Sequence, residues 1–472
     1  MYSESMEFKH VYMVGIKGTG MAALAELLKG KGVSVTGSDV PQKFFTDELL
    51  KKAGILYFTD FKKENISKDV EMVIHSSAYN VSDNPELIEA TKRGLPIYKY
   101  TEALGYLSSL SFSVGISGIH GKTTTTAITG TIVKCLGLNA STLVGSGVPS
   151  FNGSAINFNG SDIFVAETCE YQRHFLSFHP NIIVITSLEM DHPDYFKDYE
   201  DIVDAFISYI KLLPINSDVI YCLDDSGVMD LYNRVKKIRP DLNAITYGQT
   251  VNSYFGISQI KTEVGVTKFK INGIDTVFEL LVPGVHTVLD TVAGIAVSYS
   301  LLKREGINPE TKLDLIKKGL LEFKGTKRRS EILGNKKGVL FIDDYGHHPT
   351  AIDTTLRGYR DFYPDRRIII DFMSHTYSRT EKLLKEFASS FSAADIVILN
   401  KIYASARENN KEGVTGESLY LETLKYHKNV YYCPEYEDAV AKALEILQDG
   451  DLFVTMGAGN NWQVGEKLLE EF

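Results

Sequence analysis

The chain has 472 residues, of which 44% are hydrophobic, and it carries a formal net charge of −10 at pH 7. This length predicts about three domains of roughly 150 residues each. The acidic balance argues against nonspecific binding to nucleic acid or to anionic membranes. The four cysteines are far apart and lack C-x-x-C spacing, no secretory leader is recognisable, and no apolar run reaches the roughly 18 residues that span a bilayer. We therefore expect a cytoplasmic protein that does not insert into membranes.

Strand-like and helix-like segments alternate along most of the chain and predict an α/β fold with parallel sheets. The pattern gives three units, expected over residues 1–109, 110–327 and 328–472. The stretch 251–282 differs, because it alternates between apolar and polar residues around turns and shows no convincing helix. We expect antiparallel strands there.

A glycine run, GIKGTG at 15–20, forms the first predicted strand-to-helix turn. The positive end of the following helix favours a diphosphate at such a turn. Asp39 ends the second predicted strand, where an acid usually meets a ribose. The diphosphate belongs either to NAD or to a UDP-sugar, and a tight turn without a ligand is a third interpretation.

The run GIHGKTTTT at 118–126 lies between a predicted strand and a predicted helix. This context directs several backbone N–H groups and a positive helix end to one spot, which binds phosphate. Lys122 would reach the outer phosphates, and the Thr123 hydroxyl would ligate Mg²⁺. The loop is shorter than the usual phosphate-loop pattern, because Ile116 stands where a glycine is expected. The sequence therefore predicts ATP binding.

Acidic and basic side chains follow the next two predicted strands. Glu167 follows the first of these strands, which ends at Ala166, and Glu170 lies three residues further on. The pair is either well placed for Mg²⁺ or consists of two solvated loop acids. Arg173 and His174 are the nearest basic residues, and they either assist an anionic substrate or lie at the surface. His192 is either an unusual Mg²⁺ ligand, since imidazole ordinarily suits softer metals, or a histidine that caps a loop.

The third unit carries two polar runs after predicted strands, DDYGHHPT at 343–350 and HTYSRT at 375–380. Neighbouring histidines in an extended chain point in opposite directions, which favours substrate contacts over a metal site. Arg379 is placed for an anion, but it is equally compatible with a solvated helix.

Together these runs, in this order, resemble the Mur ligase family, the ATP-dependent amide ligases of peptidoglycan synthesis. The resemblance spans nearly the whole chain and includes the segments 37–39, 76–78 and 84–86. It implies Rossmann-like N- and C-terminal domains that flank a central P-loop ATPase domain. It also implies that ATP and Mg²⁺ activate the carboxylate of UDP-N-acetylmuramate as an acyl phosphate, which L-alanine then attacks.

The resemblance implies roles for individual residues. Those expected at the nucleotide are Gly118, His120, Gly121, Lys122, Thr123, Thr124, Arg328 and Asp344. Those expected at the UDP-sugar are Gly15, Gly18, Thr19, Gly20, Asp39, Ser76, Ser77 and Glu170. Those expected to hold Mg²⁺ are Thr123, Glu167 and His192, and those expected to border the amino acid are Tyr345, His347, His375 and Arg379. Either His347 or His375 is a candidate base for the incoming ammonium, because the ordinary histidine pKa lies near neutrality.

The sequence departs from the family pattern near each expected site. Ile119 replaces a threonine in the phosphate loop, and Cys169 replaces an aspartate between the two glutamates. Ser187 and Asp290 replace asparagines, and Thr376 replaces an arginine beside His375. The last change bears on which amino acid is used.

Three other functions are compatible with the sequence. A murein-recycling ligase attaches a peptide to the same sugar nucleotide. A nicotinamide-dependent oxidoreductase would use the first glycine turn, and a non-catalytic nucleotide sensor would use only the second.

Overall fold

The structure is a computed structural model that describes residues 8–44, 46–192, 195–250, 252–404 and 413–472. Its contacts divide the chain into two compact units. Unit 1 comprises Met1–Gln259, Phe269–Phe278 and Leu289–Phe323, and unit 2 comprises Ile260–Lys268, Glu279–Val288 and Lys324–Phe472. The three predicted units each contribute a sheet, and their predicted boundaries stay predictions.

The first sheet is parallel, with strand order β3-β2-β1-β4-β5. Its strands are β1 (His10–Val14), β2 (Ser34–Ser38), β3 (Leu56–Phe58), β4 (Met72–His75) and β5 (Ile97–Lys99). Its helices are α1 (Thr19–Gly30), α2 (Thr46–Lys52), α3 (Pro85–Lys92) and α4 (Tyr100–Ser109). The strand order reverses between β1 and β4, and in such sheets ligands bind beyond the carboxyl ends of the strands at this point. The predicted glycine turn follows β1.

The second sheet has the order β15-β14-β13-β12-β11-β10-β6-β9-β7-β8. Its strands are β6 (Phe112–Ser117), β7 (Ala140–Leu143), β8 (Ile156–Phe158), β9 (Ile163–Glu167), β10 (Ile182–Ile185), β11 (Asp218–Cys222), β12 (Asn243–Gly248), β13 (Phe255–Glu263), β14 (Val266–Ile271) and β15 (Phe278–Leu280). The helices of this region are α5 (Lys122–Leu136), α6 (Tyr199–Ile210), α7 (Ser226–Ile238), α8 (Val285–Arg304) and α9 (Leu313–Glu322). Strands β6, β9 and β10 are parallel neighbours, so their carboxyl ends, which carry the predicted ATP-site residues, share one edge.

The stretch 252–282 contains strands and no helix among its residues, as the alternating pattern predicted. A two-residue connection joins β13 to β14, and such a short connection can only join antiparallel neighbours. Strand β13 pairs with β12 in parallel, so this part of the sheet is mixed.

The third sheet has the order β16-β17-β21-β18-β19-β20, and only its edge strand β16 is antiparallel to its neighbour. Its strands are β16 (Glu331–Lys336), β17 (Val339–Asp344), β18 (Ile368–Phe372), β19 (Ile396–Leu399), β20 (Val430–Tyr432) and β21 (Leu452–Met456). Its helices are α10 (Pro349–Phe362), α11 (Tyr377–Lys382), α12 (Leu384–Ser389), α13 (Gly416–Thr423), α14 (Tyr436–Ile446) and α15 (Trp462–Glu471). Both predicted polar runs of this unit begin where a central strand ends.

Helix α8 is long and apolar enough to cross a membrane, with a mean hydropathy of 1.4 over 18 residues. No segment of this kind was expected from the sequence. Because 83% of that window is buried inside the protein, the helix has the environment of a core helix, whose apolar surface packs against neighbouring elements. Its apolar length is therefore explained by burial in the protein.

Candidate active site

The predicted phosphate loop joins β6 to α5 and turns at Gly121, whose φ of +81° favours glycine. A Cβ atom at this position would lie 2.5 Å from Oδ1 of Asp290. Asp290 is buried and accepts a hydrogen bond of 3.0 Å from the hydroxyl of Thr125, in the first turn of α5. Asp290, which the sequence showed only as a departure from the family pattern, thus packs directly against the loop.

Lys122 begins α5, and its ammonium group donates to the backbone carbonyls of Gly118 and Ile119 and to Oε2 of Glu170 at 3.1 Å. Burial alone lowers the pKa of Lys122, but the surrounding negative charges, Glu170 foremost, raise it above its ordinary value. Burial alone raises the pKa of Glu170, yet Lys122 and His192 bring it below its ordinary value. Both groups are therefore charged at neutral pH, and Lys122 is a cation held inside the loop.

Glu167 and Thr123 lie next to each other, which two ligands of one Mg²⁺ ion must do. The Thr123 hydroxyl lies 3.1 and 3.0 Å from the two carboxylate oxygens of Glu167, and the Gly145 N–H donates to Oε2 of Glu167 at 3.0 Å. These are oxygen donors, the type that Mg²⁺ prefers. His192 instead has its Nε2 atom 3.4 Å from Oε1 of Glu170, so its expected metal role stays a prediction.

Ser187 fixes the phosphate loop to the end of β10. Its Oγ atom accepts a hydrogen bond of 2.7 Å from the N–H of His120, and its carbonyl accepts one of 3.1 Å from the N–H of Ile119. The Ile119 side chain is buried in the apolar core of unit 1, which accounts for an apolar residue at this loop position. A serine after a strand is too common a pattern for the sequence alone to indicate this role.

His120 and Thr124 also lie at the loop, as expected. The imidazole of His120 has its Nε2 atom 2.5 Å from Oε1 of Glu189. Thr124 lies in the first turn of α5, and Gly118, with a φ of +139°, directly follows the last residue of β6. These positions are compatible with nucleotide contacts, which stay predictions.

The glycine turn after β1 is built around Asp39. Its Oδ2 atom accepts the Lys17 N–H at 2.7 Å, and its Oδ1 atom accepts the N–H of Val40 at 2.8 Å and the Tyr79 hydroxyl at 3.3 Å. Gly15 has a φ of +80°, and a Cβ there would lie 2.6 Å from the Tyr79 ring. Asp39 therefore holds the turn together, and its expected contact with a ribose stays a prediction.

Unit 1 contains a cavity of about 370 Å³ that reaches both predicted ligand sites. At the glycine turn its lining includes Gly18, Thr19, Gly20, Ser76 and Ser77, and at the ATP site it includes Glu167, Thr168 and Cys169. Five of the eight expected UDP-sugar residues and the expected Mg²⁺ ligand Glu167 thus line one cavity. Glu170, expected at the UDP-sugar, is instead buried against Lys122.

In unit 2 the expected amino-acid residues come together at the ends of β17 and β18. The rings of Tyr345 and His347 have centroids 5.1 Å apart, and those of His347 and His375 lie 6.1 Å apart. His375 also stacks on Tyr403, at 6.0 Å and an interplanar angle of 21°. Tyr403 was not among the expected site residues, because a lone tyrosine after a strand gives no pattern.

The electrostatics of this ring cluster bear on the protonation of His347. Burial, with the positive charge of Arg379 next, lowers the pKa of His347 to about 3. The ordinary histidine pKa, which made His347 a candidate base, therefore does not describe this imidazole in the folded protein, and which histidine acts as the base stays a prediction. Thr376 adopts a φ of +69°, which is strained for a β-branched residue, and its N–H donates to the carbonyl of Tyr403 at 3.0 Å.

Arg328 and Asp344, which are expected at the nucleotide, both make hydrogen bonds within unit 2. The guanidinium of Arg328 donates to Asp343 at 2.9 Å and to the carbonyls of Gly457 and Gly459 at 2.7 and 3.1 Å. Asp344 accepts the N–H groups of Ser330 and Gly346, each at 2.8 Å. These contacts use charge-assisted hydrogen bonds to fix the loops around β17, and nucleotide contacts by either residue stay predictions.

Comparisons with known proteins agree with this geometry. Residues 10–111 match the model of the Mur ligase family catalytic domain, residues 116–298 match the Mur ligase middle domain, and residues 328–459 match the Mur ligase glutamate ligase domain. The chain is 48% identical over 463 residues to UDP-N-acetylmuramate–L-alanine ligase of Treponema pallidum (strain Nichols), covering 98% of this chain and 96% of the relative. It is 40% identical to the protein of the same name from Borreliella afzelii, covering 96% and 97%.

Solved structures share the three-domain α/β architecture. UDP-N-acetylmuramate-alanine ligase of Thermotoga maritima superposes with a TM-score of 0.77 at 23% identity, over 98% of both chains. A murein peptide ligase of Psychrobacter arcticus superposes with a TM-score of 0.64 at 22% identity, also over 98% of both chains. The three matched domains and the full-length relatives show that this chain belongs to the Mur ligase family.

Proposed function

We propose that this protein joins L-alanine to the carboxylate of UDP-N-acetylmuramate in a reaction driven by ATP. The observation that carries the proposal is the cavity of unit 1, which extends from Gly18, Thr19 and Gly20 at the start of α1 to Glu167 beside the phosphate loop. An acidic sugar nucleotide with its diphosphate on the first helix end can thus direct its carboxylate towards the second. The relatives at 48% and 40% identity, both named UDP-N-acetylmuramate–L-alanine ligase, support the same substrates.

The phosphate loop would position the chemistry of the first step. The carboxylate attacks the γ-phosphorus of ATP, the bond to the β,γ-bridging oxygen breaks, and an acyl phosphate and ADP form. The protein forms no covalent bond in phosphoryl transfer. Its contribution to catalysis therefore comes mainly from holding the reactants in line and from neutralising their charge. Lys122, which is charged and held at the helix end, supplies a cation for the γ-phosphate.

Mg²⁺ fits the oxygen donors of Thr123 and Glu167, which lie within 3.1 Å of each other. We assign the metal to these two residues, where it would offset the phosphate charge. Glu167 is held by its hydrogen bonds to Thr123 and to the Gly145 N–H, which orient its carboxylate.

The second step forms the amide bond and releases phosphate. The neutral amine of alanine attacks the acyl carbon, and the resulting tetrahedral intermediate expels phosphate. The incoming ammonium must first lose a proton, and we assign this role to His375 of unit 2. His347, with a pKa of about 3, is too weak a base to draw a proton from an ammonium group near neutral pH.

We place the enzyme in the cytoplasm, where ATP is made and thiols stay reduced. All four cysteines of the chain lie among the described residues, and none forms a disulfide. This usage is typical of a reducing compartment.

The test is phosphate release from ATP together with the mass of the product. We expect release only when UDP-N-acetylmuramate and L-alanine are both present, and a product that carries one alanine residue. A tripeptide offered in competition distinguishes a recycling ligase, which would prefer it. Phosphate release that depends on neither substrate would contradict the proposal.

A further inference from the structure

The first residue of α4, Tyr100, lies in the wall of the unit 1 cavity, between the two ends already described. A Cβ atom on Gly20 would lie 2.9 Å from both Cζ and the hydroxyl oxygen of Tyr100. The head of the phenol is therefore packed directly on the first turn of α1, where the diphosphate is expected. No part of the proposed mechanism uses this side chain.

The other neighbours of Tyr100 belong to the ATP end of the cavity. Burial, followed by the negative charge of Glu167, raises the pKa of Tyr100 well above its ordinary value. The phenol therefore stays a neutral hydrogen-bond donor at every pH the enzyme meets. Within the described part of the chain, no atom makes a hydrogen bond with its hydroxyl. A phenol on a cavity wall ordinarily finds a partner at its polar end.

Positive groups lie on the same wall. Lys99 precedes Tyr100, lines the cavity, and lowers the pKa of His174 together with burial, which is the larger cause. A ligand bound against this wall would thus contact the Lys99 cation, the Tyr100 O–H donor and the N-terminal end of α1. Glu167 is nearby and repels an anion, so donors at this point are needed if a carboxylate is to approach it.

We infer that Tyr100 is a specificity-determining residue for the acidic sugar, and that its hydroxyl donates a hydrogen bond to the carboxylate of the sugar nucleotide. The inference rests on the proposed function and deepens it, because it names the group that selects an acidic sugar over a neutral one. The sugar nucleotide lacking the lactyl carboxylate, UDP-N-acetylglucosamine, would leave this donor without a partner. A buried donor left without its partner lowers the affinity for the neutral analogue.

The experiment compares Tyr100→Phe with the wild type in direct binding of UDP-N-acetylmuramate and UDP-N-acetylglucosamine, without ATP. Tyr100→Phe removes one oxygen and keeps the packing on Gly20. We expect the preference for the acidic sugar nucleotide to fall by about tenfold or more, which is the range for a hydrogen bond to a charged group. In turnover, the KM for UDP-N-acetylmuramate should rise by a similar factor, while the KM for L-alanine changes by less than about twofold.

Tyr98→Phe is the matched control. It makes the same chemical change two residues earlier, in a ring that stacks on Tyr106 and does not line the cavity. It should leave the preference between the two sugar nucleotides unchanged. Equal weakening of both sugar nucleotides by Tyr100→Phe, or no weakening of either, overturns the inference. If the wild type shows no turnover dependent on UDP-N-acetylmuramate, the proposed function fails first and this inference fails with it.

Discussion

Lys122 and Glu170 form a buried ion pair, with the Nζ atom of the lysine 3.1 Å from Oε2 of the glutamate. The Glu170 side chain is only 2% exposed, and its second oxygen lies 3.4 Å from Nε2 of His192. A buried charge without its partner is strongly destabilising, whereas an exposed pair contributes little. The pair therefore ties the stability of unit 1 to the residue expected to hold the γ-phosphate.

Glu170→Gln should lower both stability and activity. The variant leaves the Lys122 charge buried without its nearest anion, which we expect to cost roughly 3 kcal/mol of unfolding free energy. Urea unfolding measures this loss, and phosphate release measures the fall in kcat.

Glu200→Gln provides the comparison, because it removes one charge from the exposed ion pair with Arg234. It should leave the unfolding free energy and kcat nearly unchanged. Equal losses in the two variants would mean that the buried position of Glu170 is unimportant.

Gly121→Ala should disturb the phosphate loop more than its backbone conformation alone explains. A left-handed φ costs a non-glycine residue about 1–2 kcal/mol, and here the new Cβ would also lie 2.5 Å from Asp290. We expect a rise in the KM for ATP, since the N–H groups of the loop must shift.

Gly137→Ala isolates the backbone contribution. Gly137 ends the same helix with a φ of +69°, and a Cβ there meets nothing within 4 Å. This variant should lose stability by thermal unfolding without any change in the KM for ATP. An unchanged KM for ATP in Gly121→Ala would contradict the role given to the Asp290 contact.

The phosphate loop could be predicted from local sequence patterns, whereas the distant side chains that hold it in place could not. A strand, a glycine turn and a helix are adjacent in sequence, so GIHGKTTTT indicated the loop correctly. Asp290 and Ser187 reach the loop from other strands and helices, and sequence spacing does not reveal which distant polar group packs against which turn. For the same reason the sequence did not reveal that the Asp39 carboxylate accepts hydrogen bonds from the backbone N–H groups of Lys17 and Val40.

Prediction from sequence meets the same limit at the ring cluster of unit 2, which consists of Tyr345, His347, His375 and Tyr403. The resemblance to the Mur ligases implied that Tyr345, His347 and His375 belong together, and in the structure their rings form one cluster. Their protonation was not predictable, since the pKa of His347 depends on burial and on the charge of Arg379 in the folded protein. The sequence pattern therefore identifies which residues form the site, whereas their packing in the fold determines their pKa values.

Thr123→Val should raise the Mg²⁺ concentration needed for half-maximal turnover by about tenfold or more, because it removes one oxygen ligand and the hydrogen bond that orients Glu167. A titration of phosphate release against MgCl₂ at saturating ATP measures this shift. Thr123→Ser keeps the hydroxyl and should stay close to the wild type. A Mg²⁺ requirement that is the same in all three proteins would show that the metal lies elsewhere.

Asp371 should make the stability of unit 2 depend on pH. This carboxyl is fully buried at the end of β18 and accepts hydrogen bonds from Asn400 at 2.9 Å and from Asn461 at 3.2 Å. Burial raises its pKa to about 7, against the lowering effect of the two amides, and the nearby carboxylate of Asp343 adds to the rise. The unfolded chain has an aspartate pKa near ~3.9, so between about pH 4 and 7 the folded protein holds a proton that the unfolded chain has lost.

Stability contributed by this group is therefore greatest below about pH 4, falls as the pH rises towards 7, and then levels off. Asp371→Asn cannot titrate, so its unfolding free energy should decline less steeply between pH 5 and 7 than that of the wild type, by roughly 1 kcal/mol per pH unit. Other titrating groups, such as His347, cancel in this difference because they are present in both proteins. Urea unfolding at several pH values measures both slopes, with Asp361→Asn, on an exposed residue, as the control. Parallel slopes for the wild type and Asp371→Asn would mean that Asp371 is already ionised at pH 5 in the folded protein.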